Sequence, residues 1–448
     1  MSRTPSLDAS LLRSLRQSLE PASAEFSTRS LGEAATRQPV HVVYGGAHLF
    51  QADAARKLGD RALAALQAYA PSAEVFAEAL ELRAELASAV YSRVVAKLER
   101  EPVEDLRIDF EDGYGFRSDA EEDGHAVSAA EALAQGMAQG TLPEMIGLRI
   151  KALTSALFAR AARTLDLFVG TLAARSGGEL PPTFLVTLPK VTSRAQVTAL
   201  VRLVEALEVQ HGVAAGAIRL ELMVETPQSL FDADGAVVLP GLVRAAEGRC
   251  VAAHFGTYDY TASLNVTAAH QTMDHRACDF AKQLMQVSLA GTGVRVSDGA
   301  TNVMPVGPHR AGPGVALSAA QAAENGAVVH RAWRLSARHI RRSLVDGFYQ
   351  GWDLHPAQLP VRYAATYAFF LEGLPAAAAR LKSFVTRAAQ ATLLGDVFDD
   401  AATGQGLLNF FLLGRSSGAL TDAEVLSAGV TLEELQTRSF LRILEGRR

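Results

Sequence analysis

Eight short apolar runs, each cut off by polar residues, constrain this chain more than any other feature. They fall at residues 40–44, 106–110, 146–150, 183–188, 222–224, 251–255, 293–297 and 347–353. The runs are continuous rather than alternating, as strands buried on both faces are. Helical stretches separate them: two between 52 and 100 broken near Pro71, then one after each later run, the longest at about 318–345. Such alternation implies parallel strands joined by right-handed crossovers. A doubly wound open sheet gives the same alternation, but eight units predict a (β/α)8 TIM barrel with a helical N-terminal insert and a C-terminal helical extension. We divide the chain into an N-terminal helix and loop (1–38), a barrel (39–375) and a helical extension (376–448). The tail from 357 reads as almost wholly helical, with a break at 395–406.

Composition bounds the function classes. The 448 residues are 49% hydrophobic and 20% charged, with a net charge of −5, so no basic surplus argues for nucleic acid. Cys250 and Cys278 make neither a disulfide framework nor a zinc cluster and fit a reducing compartment. No apolar run reaches the roughly 18 residues of a membrane span. The first twenty residues carry Leu7, Leu11, Leu12, Leu15 and Leu19 at helical spacing and lack a signal-peptide layout. A cytoplasmic protein is expected.

Barrels of this kind place their active sites where the strands end. There the chain delivers, in order, Tyr44, Gly45, Gly46 and His48; Asp109, Glu111 and Asp112; Arg149 and Lys151; Lys190; Glu225; His254 and Asp259; Asp298; and Trp352, Asp353 and His355. Glu225 and Asp259, each just past an apolar run, are the best metal ligands. Magnesium accepts one or two protein carboxylates and keeps its other positions for water and substrate; manganese fits the same oxygen donors, and zinc would need His or Cys ligands. Arg149 can fork onto a carboxylate, hold a developing enolate oxygen, or bridge to Asp109 or Glu111. Glu111 and Asp112 read as groups that orient water on the ion, or as a solvated acidic turn. With the strand continued, Asp112 should face away from Asp109 and Glu111. Lys190 should be protonated beside these acids, binding a substrate carboxylate or pairing with them, rather than forming a Schiff base. His355 is a base or a packed imidazole. Arg331, Arg334, Arg338, Arg341 and Arg342 share a helix and read as a solvated basic face before a phosphate site.

Six motifs in order, Asp109-Phe-Glu-Asp112, Gly147-Leu-Arg-Ile150, Leu188-Pro-Lys-Val191, Val224-Glu-Thr226, Gly256-Thr-Tyr-Asp-Tyr260 and His355-Pro-Ala-Gln358, resemble the strand ends of the citrate lyase β-subunit / HpcH–HpaI aldolase family, which includes malyl-CoA lyases. The resemblance covers about residues 40–365. It implies one Mg²⁺ on Glu225 and Asp259, a 2-oxo acid chelating it, and Arg149 stabilising an enolate. It also implies a homo-oligomer, trimer or hexamer, with a C-terminal piece over a neighbour's site, for which Asp399 and Asp400 are candidates. The chain departs from the family in its Tyr-Gly-Gly-Ala-His turn after the first strand, in Phe110, and in its long helical additions. Use of a CoA thioester is left open. The leading expectation is a Mg²⁺-dependent carbon–carbon lyase or aldolase acting through a metal-bound enolate. The alternatives are a synthase condensing acetyl-CoA with glyoxylate on the same site, and a non-catalytic barrel that binds a partner.

Overall fold

The computed structural model describes residues 8–29, 37–312, 314–386, 392–394, 397–399 and 401–447. Eight strands, β1 (His41–Gly46), β2 (Asp105–Asp109), β3 (Met145–Arg149), β4 (Leu185–Leu188), β5 (Arg219–Val224), β6 (Cys250–Phe255), β7 (Arg295–Ala300) and β8 (Gln350–Asp353), close in sequence order into one barrel. Every neighbouring pair is parallel, including β1 with β8. This is the expected (β/α)8 barrel.

Sixteen helices of the described residues follow in chain order. Before β2 come α1 (Ala9–Arg29), α2 (Ala54–Tyr69), α3 (Ala73–Leu80) and α4 (Ala87–Arg100). Around the wall lie α5 (Asp119–Gln139), α6 (Phe158–Ser176), α7 (Arg194–His211), α8 (Leu239–Ala245), α9 (Thr257–Ser263), α10 (Arg276–Leu289) and α11 (Ala319–Val345). The C-terminal part holds α12 (Leu359–Thr386), α13 (Ala401–Ser416), α14 (Asp422–Leu426), α15 (Leu432–Gln436) and α16 (Phe440–Gly446).

Three details correct the sequence reading. Residues 52–100 hold three long helices, not two, because the chain also stops at Glu81, which takes a left-handed φ of 56° and caps α3. The tail includes a small antiparallel pair, β9 (Thr392–Leu394) with β10 (Val397–Asp399), where only a helix break was expected. β7 runs on to Ala300, three residues past the apolar run, with Asp298 satisfied outside the barrel as described below. Helix α12 passes unbroken through residue 375 with Pro375 inside it. No helix among the described residues is long and apolar enough to cross a membrane.

The strands divide their faces by chemistry. Leu106, Ile108, Ile146, Leu148, Val186, Leu188, Leu220 and Leu222 belong to the apolar core shared with the helices. Residues of the opposite parity point into the lumen, since successive side chains alternate. There the Arg107 guanidinium hydrogen-bonds Thr187 Oγ1 at 3.1 Å and Glu221 Oε2 at 3.2 Å, and it also pairs with Asp105. Thr187 donates to Glu221 at 2.7 Å, Tyr44 OH donates to Glu221 at 3.3 Å, and Gln350 donates to Asp105 at 3.3 Å. Gly147 is required chiefly by β4, because a Cβ there would lie 2.5 Å from the Leu185 carbonyl oxygen, and it also leaves room for Arg107, whose Cδ would be 3.2 Å away. Barrels of this class commonly fill this space with branched aliphatic residues; here a buried charged network does so.

Candidate functional site

At the mouth, three short turns bring the acids together. After β5, Thr226 Oγ1 accepts from Ser229 N at 3.2 Å and donates to the Val191 carbonyl at 2.7 Å, while Pro227 opens a 3-10 turn. That ties the β5 turn to the β4 turn and fixes Glu225 between them. Glu225 is 2% exposed, and its Oε1 accepts from Lys190 N at 2.7 Å. Burial, then the charge of Asp259, push its carboxyl up to about 8. Asp259 lies in the first turn of α9, 42% exposed at its side chain. Gly256 is required between them, because a Cβ there would sit 2.5 Å from Glu225 Oε2.

Arg149 is held from every side. Its Nε and one terminal nitrogen meet the two Asp109 oxygens at 2.7 and 2.6 Å, a bidentate pair between adjacent strands. The other terminal nitrogen lies 3.2 Å from Glu111 Oε2. The guanidinium carbon sits 4.7 Å from the Tyr44 ring centroid and 5.6 Å from that of Trp352. Asp109 also accepts from the backbone of Glu111 at 3.0 Å and of Gly113 at 2.7 Å. Its oxygens are thereby committed to fixing the arginine and the acidic turn.

Lys190 joins the acids. Its Nζ hydrogen-bonds Glu111 Oε1 and lies 3.2 Å from Asp112 Oδ2 and 3.5 Å from Asp259 Oδ2. Burial opposes its charge, but the Glu111 hydrogen bond and the surrounding carboxylates raise its pKa, so it is an ammonium. Glu111 is shifted up by burial, against the pull of Arg149 and Lys190. Asp112 is shifted down: burial opposes this, and the Glu111 contact and Lys190 outweigh it. Asp112 thus shares the Lys190 side of the cluster, contrary to the expectation that it faces away. Strand β2 ends at Asp109, so strand alternation no longer governs the turn.

Other strand-end residues lie elsewhere. His355 Nδ1 accepts from Ala357 N at 3.1 Å and Gln358 reciprocates on His355 N, so the imidazole caps a 3-10 turn. It lines a 440 Å³ cavity with Arg61 and Lys57 beside β1 and β8, across the barrel from Glu225. Asp298 faces outward, where Lys282 at 3.0 Å and Ser343 at 2.6 Å donate to it. Asp353 is paired with Arg362 at 2.9 Å and His41 at 3.4 Å. Lys151 braces Glu122 at 2.8 Å. His254 points into the lumen rather than the mouth, fully buried between Tyr44 and Trp352, and burial pushes it down to about 4. His48 packs on Tyr114, with ring centroids 5.6 Å apart. On the long α11, Arg334, Arg341 and Arg342 pair with Glu81, Glu372 and Asp279, as an ion-paired surface does. Asp400 and the side chain of Asp399 lie outside the described residues.

Arg107, Glu221 and Asp105 escaped the search for polar strand ends because they sit within strands. A period-two signal marks them: Asp105, Arg107 and Asp109 on β2, and Glu221, Met223 and Glu225 along β5.

Among the described residues no group of three or more His, Cys, Asp or Glu side chains is placed to hold a metal. Two hard carboxylates remain, one of them buried beside the other. That donor set fits magnesium, which needs no more from the protein.

Over residues 19–443 the sequence matches the family described as "Domain of unknown function (DUF6986)". The chain belongs to that family. No curated protein matches it. Among solved structures, a citrate lyase from Burkholderia xenovorans LB400 is 17% identical, covering 89% of this chain and 97% of its own, with a TM-score of 0.57. The CitE protein of Mycobacterium tuberculosis, in complex with magnesium, acetoacetate and coenzyme A, is 16% identical over 86% of this chain and 99% of its own, TM-score 0.49. A Haloferax volcanii malate synthase, in a magnesium and glyoxylate complex, is 14% identical over 91% and 96%, TM-score 0.47. The first likeness shows that this DUF6986 chain shares the barrel fold of that citrate lyase.

Proposed function

We propose that the protein is a Mg²⁺-dependent carbon–carbon lyase or aldolase for a 2-oxo acid or a hydroxy acid derived from one. The observation that carries this reading is the pairing of Glu225 and Asp259 across the ends of β5 and β6, facing a clamped Arg149. Magnesium on these two carboxylates would act as a Lewis acid toward a 2-oxo acid. Arg149 is fixed by both Asp109 oxygens on one edge, and its other terminal nitrogen, 3.2 Å from Glu111, would turn part of its positive charge to the oxygen that gains charge as a C–C bond breaks or forms. Being fixed beforehand, it needs no reorganisation when that charge appears. The Lys190 ammonium serves electrostatics rather than imine formation, and it can steady the substrate carboxylate. Glu111 and Asp112, beside Lys190, would orient water next to a bound cation. His355, occupied as a cap, takes no step in this scheme.

The reading extends to assembly: we place the chain in a homo-oligomer, trimer or hexamer, which light scattering on the purified protein tests. The decisive experiment for the chemistry incubates the protein with a panel of 4-hydroxy-2-oxo acids and follows pyruvate or glyoxylate release. Mg²⁺-dependent cleavage, abolished by EDTA and by Glu225→Gln, is the expected result. No cleavage and no Mg²⁺ binding by calorimetry would remove the reading. Release of thiol only when acetyl-CoA and glyoxylate are supplied together would replace it with condensation.

A further inference from the structure

We propose that the 440 Å³ cavity beside β1 and β8 is a second ligand site, which takes a monocarboxylate with an apolar body. The inference goes beyond the metal-dependent reading and uses none of the residues at the ends of β5 and β6.

A missing side chain opens the cavity. Val43 belongs to the apolar core shared with the helices, and strand side chains alternate, so Gly45 faces the same way two residues on. Nothing lies within 4 Å of a Cβ placed at Gly45. Its φ is not left-handed, so the backbone does not demand glycine there. What the glycine provides is space, which α2 and the 3-10 turn Pro356–Gln358 enclose from the other side. The volume falls within the roughly 300–1,000 Å³ typical of small-molecule sites.

The walls are apolar and the free charge is positive. Phe50, Leu58 and Leu359 line the interior, while Leu49 and Leu354 stand at the edge, 71% and 39% exposed. Large apolar side chains left in water around a concavity mark a binding surface. The carboxylate in the lining, Asp353, is committed to Arg362 at 2.9 Å and His41 at 3.4 Å. Lys57 is held by Asp53 at 2.9 Å. Arg61 pairs with no carboxylate among the described residues. His355 adds a neutral donor: its Nδ1 accepts from Ala357 N, so the hydrogen of the neutral ring sits on Nε2. Burial and the Arg61 charge both press that imidazole toward neutrality. A guanidinium without an anion, an imidazole N–H and apolar walls suit one carboxylate, which arginine grips as a fork. A second negative charge on the ligand would find Lys57 already taken by Asp53.

The test is calorimetry in EDTA on the full-length protein, with octanoate as the probe and acetate and octylamine as controls. The expected result is one octanoate per chain, with both controls at least 10-fold weaker. Gly45→Leu, which fills the space, and Arg61→Glu, which reverses the charge, should each weaken octanoate at least 10-fold. No saturable octanoate binding overturns the proposal, as does either control binding as tightly as octanoate, or a smaller loss in either folded variant. Displacement of octanoate by acetyl-CoA also overturns it, because the cavity would then hold the arm of a substrate. Arg61 is exposed on α2, so Arg61→Glu decides the charge even where Gly45→Leu does not fold. Metal is absent throughout, so failure here leaves the Glu225 and Asp259 reading standing.

Discussion

Arg149 and Asp109 face each other across the β2–β3 ladder and exchange two hydrogen bonds of 2.7 and 2.6 Å, both side chains almost wholly out of water. The pair fixes the guanidinium that the proposed chemistry needs. Asp109→Asn leaves that buried charge without its bidentate anion, Glu111 alone remaining at 3.2 Å, which should cost about 3 kcal/mol of stability. It should also lower turnover about 100-fold through loss of alignment. Urea denaturation and kcat measure the two effects; a stability loss with unchanged kcat would reduce the pair to scaffolding.

Glu225→Gln should stabilise the metal-free protein at alkaline pH. The folded carboxyl is pushed up to about 8 from an ordinary value near 4.5, so the native state binds the extra proton. Stability tied to this group is fully present below about 4.5 and is lost as pH rises through about 8. Glutamine mimics the protonated form and escapes that loss. In EDTA at pH 9 the variant should melt above wild type, and the Mg²⁺-induced rise in Tm should vanish from it. A variant that melts below wild type in EDTA would contradict the assignment of a cation-demanding carboxylate.

Gly256→Ala should weaken Mg²⁺ binding about 10-fold and destabilise by about 1–3 kcal/mol, because the new methyl meets Glu225 at 2.5 Å. The backbone at Gly256, with φ −102°, is open to any residue, so the effect is steric alone. Gly45→Ala is the control: nothing lies within 4 Å of its added carbon, and Tm should not move beyond the scatter expected of a surface change.

His254 carries two ring nitrogens without hydrogen-bond partners and is buried to the point of neutrality, with its pKa down at about 4. Its depressed pKa means that the unfolded chain takes up the proton first. Stability tied to it is present above about 6.5 and falls as pH drops toward about 4, by up to about 3 kcal/mol. His254→Phe should flatten that part of the stability–pH curve relative to wild type, measured by denaturant titration at pH 7, 6, 5 and 4.5. Parallel curves would show that another group takes up the proton.

The barrel was legible because its outer wall is apolar: Leu106 and Ile108 on β2, or Leu220 and Leu222 on β5, announce a strand wherever they occur. Glu225, Asp259, Arg149 and Lys190 were legible as candidates because each interrupts such a run at its end, and the structure brings them together. Asp298 and Asp353 interrupt runs too, yet they turn outward to Lys282 and Arg362. A strand end alone does not tell which face a side chain takes. The charged lumen stayed hidden for the opposite reason: Arg107 lies inside a run that reads as hydrophobic on average, and Glu221 just before the run that marks β5, in the strand's first half. The three-helix insert was missed because nothing in the Ala-rich 52–100 stretch but a left-handed Glu81 marks the second break.

That lumen also bears on how the barrel closes. Arg107, Asp105, Thr187, Glu221, Tyr44 and Gln350 come from β1, β2, β4, β5 and β8, and each finds its partner only when the strands stand in one alignment. A slip of one residue would turn Arg107 or Glu221 out against Ile108's helix layer and strand an unpaired charge in oil. An aliphatic filling tolerates such slips far better. The network thus works as a combination lock on circular closure, rejecting misaligned barrels during folding before any ligand is present to select the right one.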